Sequence, residues 1–197
     1  MKIAIIGAGR RRNGIGAYIA RFAHAEGASV AAVLAQDSAA ARQDAEALKT
    51  FGITAEAYGS MDALIDDHRP DAVIIASPAA THADYCARAL DSGLHVLCEK
   101  PFIWDNGCDV PMVQQLLDRA QASGLIVAMN SQWPFMLPVY EQMCGLPPAR
   151  QIESFYIRLA PLSQGRDMIP DAMPHALSLL YAALGPGTLE QLELQPS

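Results

Sequence analysis

The chain has 197 residues, a formal net charge of −7 and 51% hydrophobic side chains. That length suits one large domain, or one domain and part of a second, with enough apolar content for a sizeable core. An acidic chain with a single short basic run is excluded as a general nucleic-acid binder, and no apolar run reaches membrane-spanning length.

Lys2 to Ile6 is a short apolar run rich in β-branched residues and predicts a buried strand. It ends at Gly7-Ala8-Gly9, followed by Arg10-Arg11-Arg12-Asn13-Gly14-Ile15-Gly16 and a helical pattern from Ala17 to Ala25. Strand, glycine turn and helix in that order suit a dinucleotide site. Gly7 permits the tight turn, and Gly9 lets main chain approach a pyrophosphate whose charge rests on the helix N-terminus. The spacing is longer than G-x-G-x-x-G, so the third glycine is Gly14 or Gly16. Ser29 to Leu34 is the second strand. NAD-binding proteins place an acid at its end to bond the ribose hydroxyls. Here Ala35 stands at that place and Asp37 comes two residues later, where it also suits the N-cap of the helix that runs through Leu48. The missing acid and the three arginines leave room for a 2′-phosphate and tilt the cofactor choice toward NADP over NAD.

A third strand is predicted over Thr54 to Tyr58, and a helix capped by Ser60 over Met61 to Asp67. A fourth strand, Asp71 to Ala76, is closed by Ser77-Pro78. The helix Ala80 to Ser92 stops at Gly93, and Leu94 to Cys98 forms the fifth strand, ending in Glu99-Lys100-Pro101. Proline cannot continue a central ladder, so the chain leaves the sheet and presents Lys100 where ligands bind in open α/β folds. A helix from about Val110 to Ser123 and a strand from Leu125 to Met129 follow. Alternation at this rhythm specifies a doubly wound parallel sheet over residues 1–130.

After Asn130 the character changes. Gln132-Trp133-Pro134 and Leu146-Pro147-Pro148 bracket a short helix around Val139 to Cys144. A strand over Ile152 to Leu159, a loop over Arg166 to Pro170, a helix over Asp171 to Leu184 and a strand over Thr188 to Leu194 are expected. Residues 131–197 thus predict a shortened α+β domain serving substrate binding or oligomerisation. Cys86, Cys98, Cys108 and Cys144 form no Cys-x-x-Cys pair and lack a histidine cluster, so free thiols, no metal site and a cytoplasmic protein without a signal peptide are expected.

Four segments carry a resemblance. They are the Gly7-x-Gly9 turn, Asp71-Ala-Val-Ile-Ile-Ala-Ser-Pro-x-x-x-His82, Gly93-Leu-His-Val-Leu-Cys-Glu99-Lys100-Pro101, and Asp171-x-x-x-His175 before an apolar helix and Gly185. The chain resembles the glucose–fructose oxidoreductase, inositol dehydrogenase and MocA group of NAD(P)-dependent oxidoreductases. The resemblance implies a Rossmann domain followed by an α/β domain that closes a substrate cleft. Lys100 resembles the family's catalytic lysine, which holds the reacting oxygen of substrate, and Asp171 and His175 look like its acid/base pair. Ser77, Pro78, His82 and Glu99 match positions near the cofactor, and Gly7, Gly9, Gly14 and Arg10 to Arg12 would meet its phosphates.

Elementary chemistry agrees with these roles. Oxidation of an alcohol carbon needs a group that takes the hydroxyl proton. An Asp-x-x-x-His spacing sets both side chains on one helix face, one turn apart. An early helical position disfavours imidazolium while Asp171 favours it, and a lysine ammonium stabilises a developing alkoxide. Simpler roles stand beside these: Asp171 as an N-cap, His175 as a semi-buried histidine, His82 as packing, and Trp133 as either a domain-joint hydrophobe or a cleft residue. Members of the group continue through several more strands than this chain has, so an uncovered sheet edge and a homo-oligomer are expected. The expected activity is oxidation or reduction of a sugar, polyol or similar small molecule. The alternative is a catalytically silent dinucleotide-binding sensor or assembly subunit. A methyltransferase leaves Glu99-Lys100-Pro101 and Asp171-x-x-x-His175 unexplained.

Overall fold

A computed structural model describes residues 1–9, 14–104, 107, 109–145, 151–188 and 190–191. The chain divides into two compact units, Met1–Asn130 and Ser131–Ser197.

The first unit is built on six strands: β1 (Lys2–Ile6), β2 (Ser29–Leu34), β3 (Glu56–Tyr58), β4 (Ala72–Ile75), β5 (His95–Glu99) and β6 (Val127–Asn130). Their order is β3-β2-β1-β4-β5-β6, and every neighbouring pair is parallel. Five helices connect them: α1 (Gly16–Ala25), α2 (Ser38–Leu48), α3 (Met61–His68), α4 (His82–Asp91) and α5 (Val110–Ala122). Successive strand residues point to opposite faces, so β1 feeds two cores. Ile3 and Ile5 pack with Ala17 and Ala20 of α1, Val33 of β2 and Leu48 of α2. Ala4 and Ile6 pack with Leu64 of α3, Cys86 and Leu90 of α4 and Leu116 of α5. Helices therefore cover both faces, as the alternating pattern predicts.

Local chemistry sets the helix starts. Asp37 caps α2, its Oδ1 accepting from the Ala40 N–H at 2.8 Å, and Asp109 caps α5 by accepting from the Met112 N–H at 2.9 Å. Ser60 precedes α3 but makes no side-chain cap bond, which corrects that expectation. The third strand is shorter than predicted and begins at Glu56, because only Glu56 to Tyr58 find partners on β2.

In the second unit, α6 (Leu137–Cys144) follows a 3-10 turn over Trp133–Met136, and α7 (Met168–Leu184) follows one over Gly165–Asp167. Two expectations are corrected here. Residues Ile152 to Leu159 adopt no strand, since an apolar alternation becomes a strand only beside a ladder partner and the described residues supply none. The described part of the segment from Thr188 is likewise not strand, and the remainder lies outside the described residues, as do Leu146 to Pro148. The predicted loop over Arg166 to Pro170 already belongs to the 3-10 turn and α7, so Asp171 lies inside the first turn and is not the N-cap. Pro170 permits the earlier start because a first-turn residue needs no donated N–H. Pro174 lies inside the helix.

Candidate active site

Strand order reverses direction between β1 and β4, and ligands of open α/β sheets bind at the carboxyl ends beside such a switch. The glycine turn lies there. Gly7 has φ +85°, and a Cβ on it would stand 2.8 Å from Ala76 O and Ser77 N at the end of β4. A Cβ on Gly16, the first residue of α1, would collide with the Gly7 carbonyl oxygen. Gly16 thus performs the close helix–strand packing for which Gly14 was the other candidate. Gly9 faces α2, where a Cβ would come 2.8 Å from Asp44 Oδ1. Gly14 is half-buried in the same turn, while Arg10, Arg11 and Arg12 lie outside the described residues.

The turn after β4 is held by hydroxyls. Thr81 Oγ1 donates to Pro78 O at 2.8 Å, which leaves the Ser77 hydroxyl to donate to Thr81 Oγ1 at 2.7 Å. Ser77 is half-buried and Pro78 exposed. His82, the first residue of α4, is 1% exposed. Its Nδ1 lies 2.9 Å from Pro101 O and 3.1 Å from Phe102 O, and its Nε2 lies 2.9 Å from Ser77 O. Both ring nitrogens are occupied by the protein's own main chain.

Glu99 and Lys100 end β5 at the same edge, and the Lys100–Pro101 peptide is cis. Glu99 is registered opposite Asn130 of β6. The Asn130 side-chain amide donates to Glu99 Oε1, and the Lys100 N–H donates to Oε2 at 3.2 Å. Burial pushes the Glu99 carboxyl up from the ordinary glutamate range. Those two donors and the charges of Lys100 and His82 pull against that shift without cancelling it. Protonation is therefore favoured by folding. The stability this contributes is fully present below the ordinary glutamate pKa and is lost as pH rises through the higher folded value. Replacing Glu99 with glutamine is expected to flatten the fall in melting temperature across that acid window, measured by calorimetry from acid to neutral pH. An unchanged slope would show that Glu99 carries no such linkage.

Asp171 and His175 lie one turn apart on α7, both half-buried. The Trp133 ring packs on the His175 imidazole with centroids 5.4 Å apart and planes 32° from parallel. Trp133 is therefore a partner of the candidate base within its own unit. No local pattern signals this contact, because it joins a 3-10 turn to a helix more than forty positions away. Asn130 joins the candidate residues through Glu99, and its place at the carboxyl end of a strand beside β5 is a signal readable from the sequence.

A further concavity of about 510 Å³ lies at the carboxyl ends of β2 and β3, lined in part by Gln36, Asp37, Ser38, Tyr58, Gly59 and Ser60. Among the described residues no cluster of three or more metal-ligating side chains occurs, and no helix is long and apolar enough to cross a membrane.

The family model for the oxidoreductases with an NAD-binding Rossmann fold (GFO/IDH/MocA) matches residues 1–131. The chain belongs to this family. Among its relatives, the D-xylose 1-dehydrogenase (NADP(+)) 2 of Haloferax volcanii is 34% identical over 55% of this chain and 39% of that protein. The UDP-N-acetylglucosamine 3-dehydrogenase of Acidithiobacillus ferrooxidans is 32% identical over 66% of this chain and 40% of the relative. A solved structure of the latter enzyme superposes with a TM-score of 0.66 at 25% identity, covering 94% of this chain and 57% of that one. The chain thus spans about 40% of the length of these two curated relatives.

The residues of this GFO/IDH/MocA chain suit the dinucleotide that the family's fold implies. Among the described residues the first turn of α1 carries neither a side-chain cap nor an acidic residue, which suits a negatively charged phosphate at the helix start. Gly7 and Gly16 bring main chain together where a side chain would intrude. The concavity beyond β2 and β3 is within the size range of cofactor sites.

Proposed function

We propose that the chain acts as an NAD(P)-dependent oxidoreductase on the hydroxyl or carbonyl group of a sugar, polyol or related small molecule. The observation that carries this reading is Lys100, delivered by β5 to the same sheet edge as the Gly7 turn. The glycine turn and the start of α1 would hold the pyrophosphate, with Ser77, Pro78 and Glu99 bordering the cofactor. The nicotinamide, when bound, supplies the hydride acceptor or donor. Lys100 would hold the substrate oxygen and stabilise negative charge on it. Asp171 and His175 would move the hydroxyl proton, with Trp133 holding the imidazole plane. Names of relatives, among them a D-xylose dehydrogenase and an inositol 2-dehydrogenase, support the substrate class.

The cofactor reading leans to NADP. Ala35 offers no carboxylate where NAD-binding proteins bond the ribose, and Asp37 spends one oxygen on the Ala40 N–H and the other on the Gln36 amide at 3.3 Å. A cytoplasmic setting suits buried free Cys86 and Cys98. The test is a panel of sugars and polyols assayed in both directions with each cofactor. Turnover of at least one member is expected. Cofactor binding without turnover across the panel would overturn the reading in favour of a silent dinucleotide-binding subunit.

Self-association is part of the proposal. In the second unit Phe135, Met143, Tyr156 and Leu162 are 79%, 78%, 88% and 84% exposed, apolar surface that a second copy of the chain would cover. Light scattering of the purified chain is expected to give a dimer or larger species, and a monomer at micromolar concentration would contradict this.

A further inference from the structure

His82 is the one buried polar or charged side chain among the described residues, and it is spent entirely on main-chain carbonyl oxygens from two different turns. A buried polar side chain is costly unless it is hydrogen-bonded, so its partners indicate what it holds. One side of the ring meets Ser77 O, at the end of β4. The other meets Pro101 O and Phe102 O, the residues that follow Lys100 directly. β4 and β5 are adjacent parallel strands paired from Ala72↔His95 to Ile75↔Cys98. Their ladder stops one pair short of Glu99, and beyond it the two chains diverge into separate turns. His82 spans that divergence. It is anchored from below, because α4 buries Cys86, Ala89 and Leu90 on the same face as His82.

We propose that His82 is a positioning residue whose imidazole ties the turn after β4 to the Pro101-Phe102 turn and so fixes where Lys100 stands. This rests on the reading of Lys100 as the residue that holds substrate oxygen. All three partners are acceptors, so each contact is a hydrogen bond only when the ring nitrogen facing it carries a proton. The Nδ1–H donates to the turn that follows Lys100 directly, and the Nε2 contact with Ser77 O is a second hydrogen bond only when both ring nitrogens carry protons. His82 itself presents no ring nitrogen to a cofactor and acts through the turn. Rigid placement of a catalytic group is worth a large factor, and a displacement of about 1 Å costs about 100-fold.

Two amide substitutions separate the two sides of the ring. In His82→Asn the side-chain amide can donate from the Nδ1 position toward Pro101 and Phe102. In His82→Gln it can donate from the Nε2 position toward Ser77. The full chain carrying each change is compared with wild type by hydrogen–deuterium exchange of the peptide spanning 99–104, by fluorescence titration of the reduced cofactor, and by kcat on any substrate the wild type turns over. The expected result is faster exchange and about a 100-fold lower kcat for His82→Gln, substantial recovery of both in His82→Asn, and unchanged cofactor affinity in each. A merely packing role would lower stability in both variants without the split between kcat and affinity. Equal exchange in all three proteins, or cofactor affinity falling in step with kcat, would overturn the proposal. Should both variants fail to fold, proton–nitrogen NMR of the wild type decides. A His82 Nδ1–H protected from exchange with water is expected, and an unprotonated Nδ1 would overturn the assignment. If the wild type turns over no substrate, the oxidoreductase reading fails, while the exchange comparison still decides the clamp.

Discussion

Replacing Lys100 with alanine is expected to lower kcat by about 1,000-fold, or about 4 kcal/mol of transition-state stabilisation, while cofactor affinity stays near that of the wild type. Lys100 follows the last residue of β5 and lies half-buried at the sheet's carboxyl edge. Its own N–H is occupied by Glu99 Oε2, which fixes the main chain from which the ammonium extends. A charge held in place before the reaction stabilises a developing alkoxide without reorganisation, and alanine removes that charge while leaving the glycine turn intact. Arginine is not expected to rescue, because its planar fork is wider and its charge is spread over three nitrogens. Parallel measurement of kcat and cofactor affinity checks the prediction, and undiminished turnover in Lys100→Ala would remove Lys100 from the mechanism.

The second large effect is expected at Gly16. Here the first residue of α1 abuts the carbonyl oxygen of Gly7, main chain against main chain. Valine at position 16 would force α1 away from β1, and neither side has a flexible side chain that can yield. Overpacking of this kind costs about 3 kcal/mol. The displaced helix start also moves the N–H groups that would meet a pyrophosphate. Gly16→Val is therefore expected to shift the urea midpoint downward and to weaken dinucleotide binding together. A control at Gly27, where an added Cβ meets nothing within 4 Å, keeps the backbone question separate from the packing one, since its φ of +87° still carries strain. An unaltered midpoint in Gly16→Val would contradict the close approach.

The first unit was legible because its signals are local. Runs such as Lys2 to Ile6 and Ala72 to Ile75 bury nearly every residue, and Asp37 stands where a cap must stand. The glycine turn was legible in outline, but the choice between Gly14 and Gly16 needed the position of the Gly7 carbonyl. What failed was non-local. Ile152 to Leu159 has strand-like alternation but no partner among the described residues, and a strand exists only as a pair. Asp171 reads as a cap because it follows a proline, yet Pro170 sits comfortably inside a helix that starts at Met168. Other contacts were absent from the sequence without contradicting it: His82, matched by its motif to a position near the cofactor, also faces Ser77 O, Pro101 O and Phe102 O with its ring nitrogens. Asn130 and Trp133 touch the candidate residues Glu99 and His175 through contacts that span 31 and 42 positions.

The glycine turn, the start of α1 and the concavity beyond β2 would together hold a dinucleotide at the sheet edge that presents Lys100. Fluorescence titration of the purified chain with NADPH and NADH in parallel tests this most directly. Saturable binding with NADPH preferred is the predicted result, since no carboxylate at position 35 awaits a ribose hydroxyl. Preference for NADH would reassign the ribose to Asp37 and leave the site intact, whereas binding of neither would contradict the account.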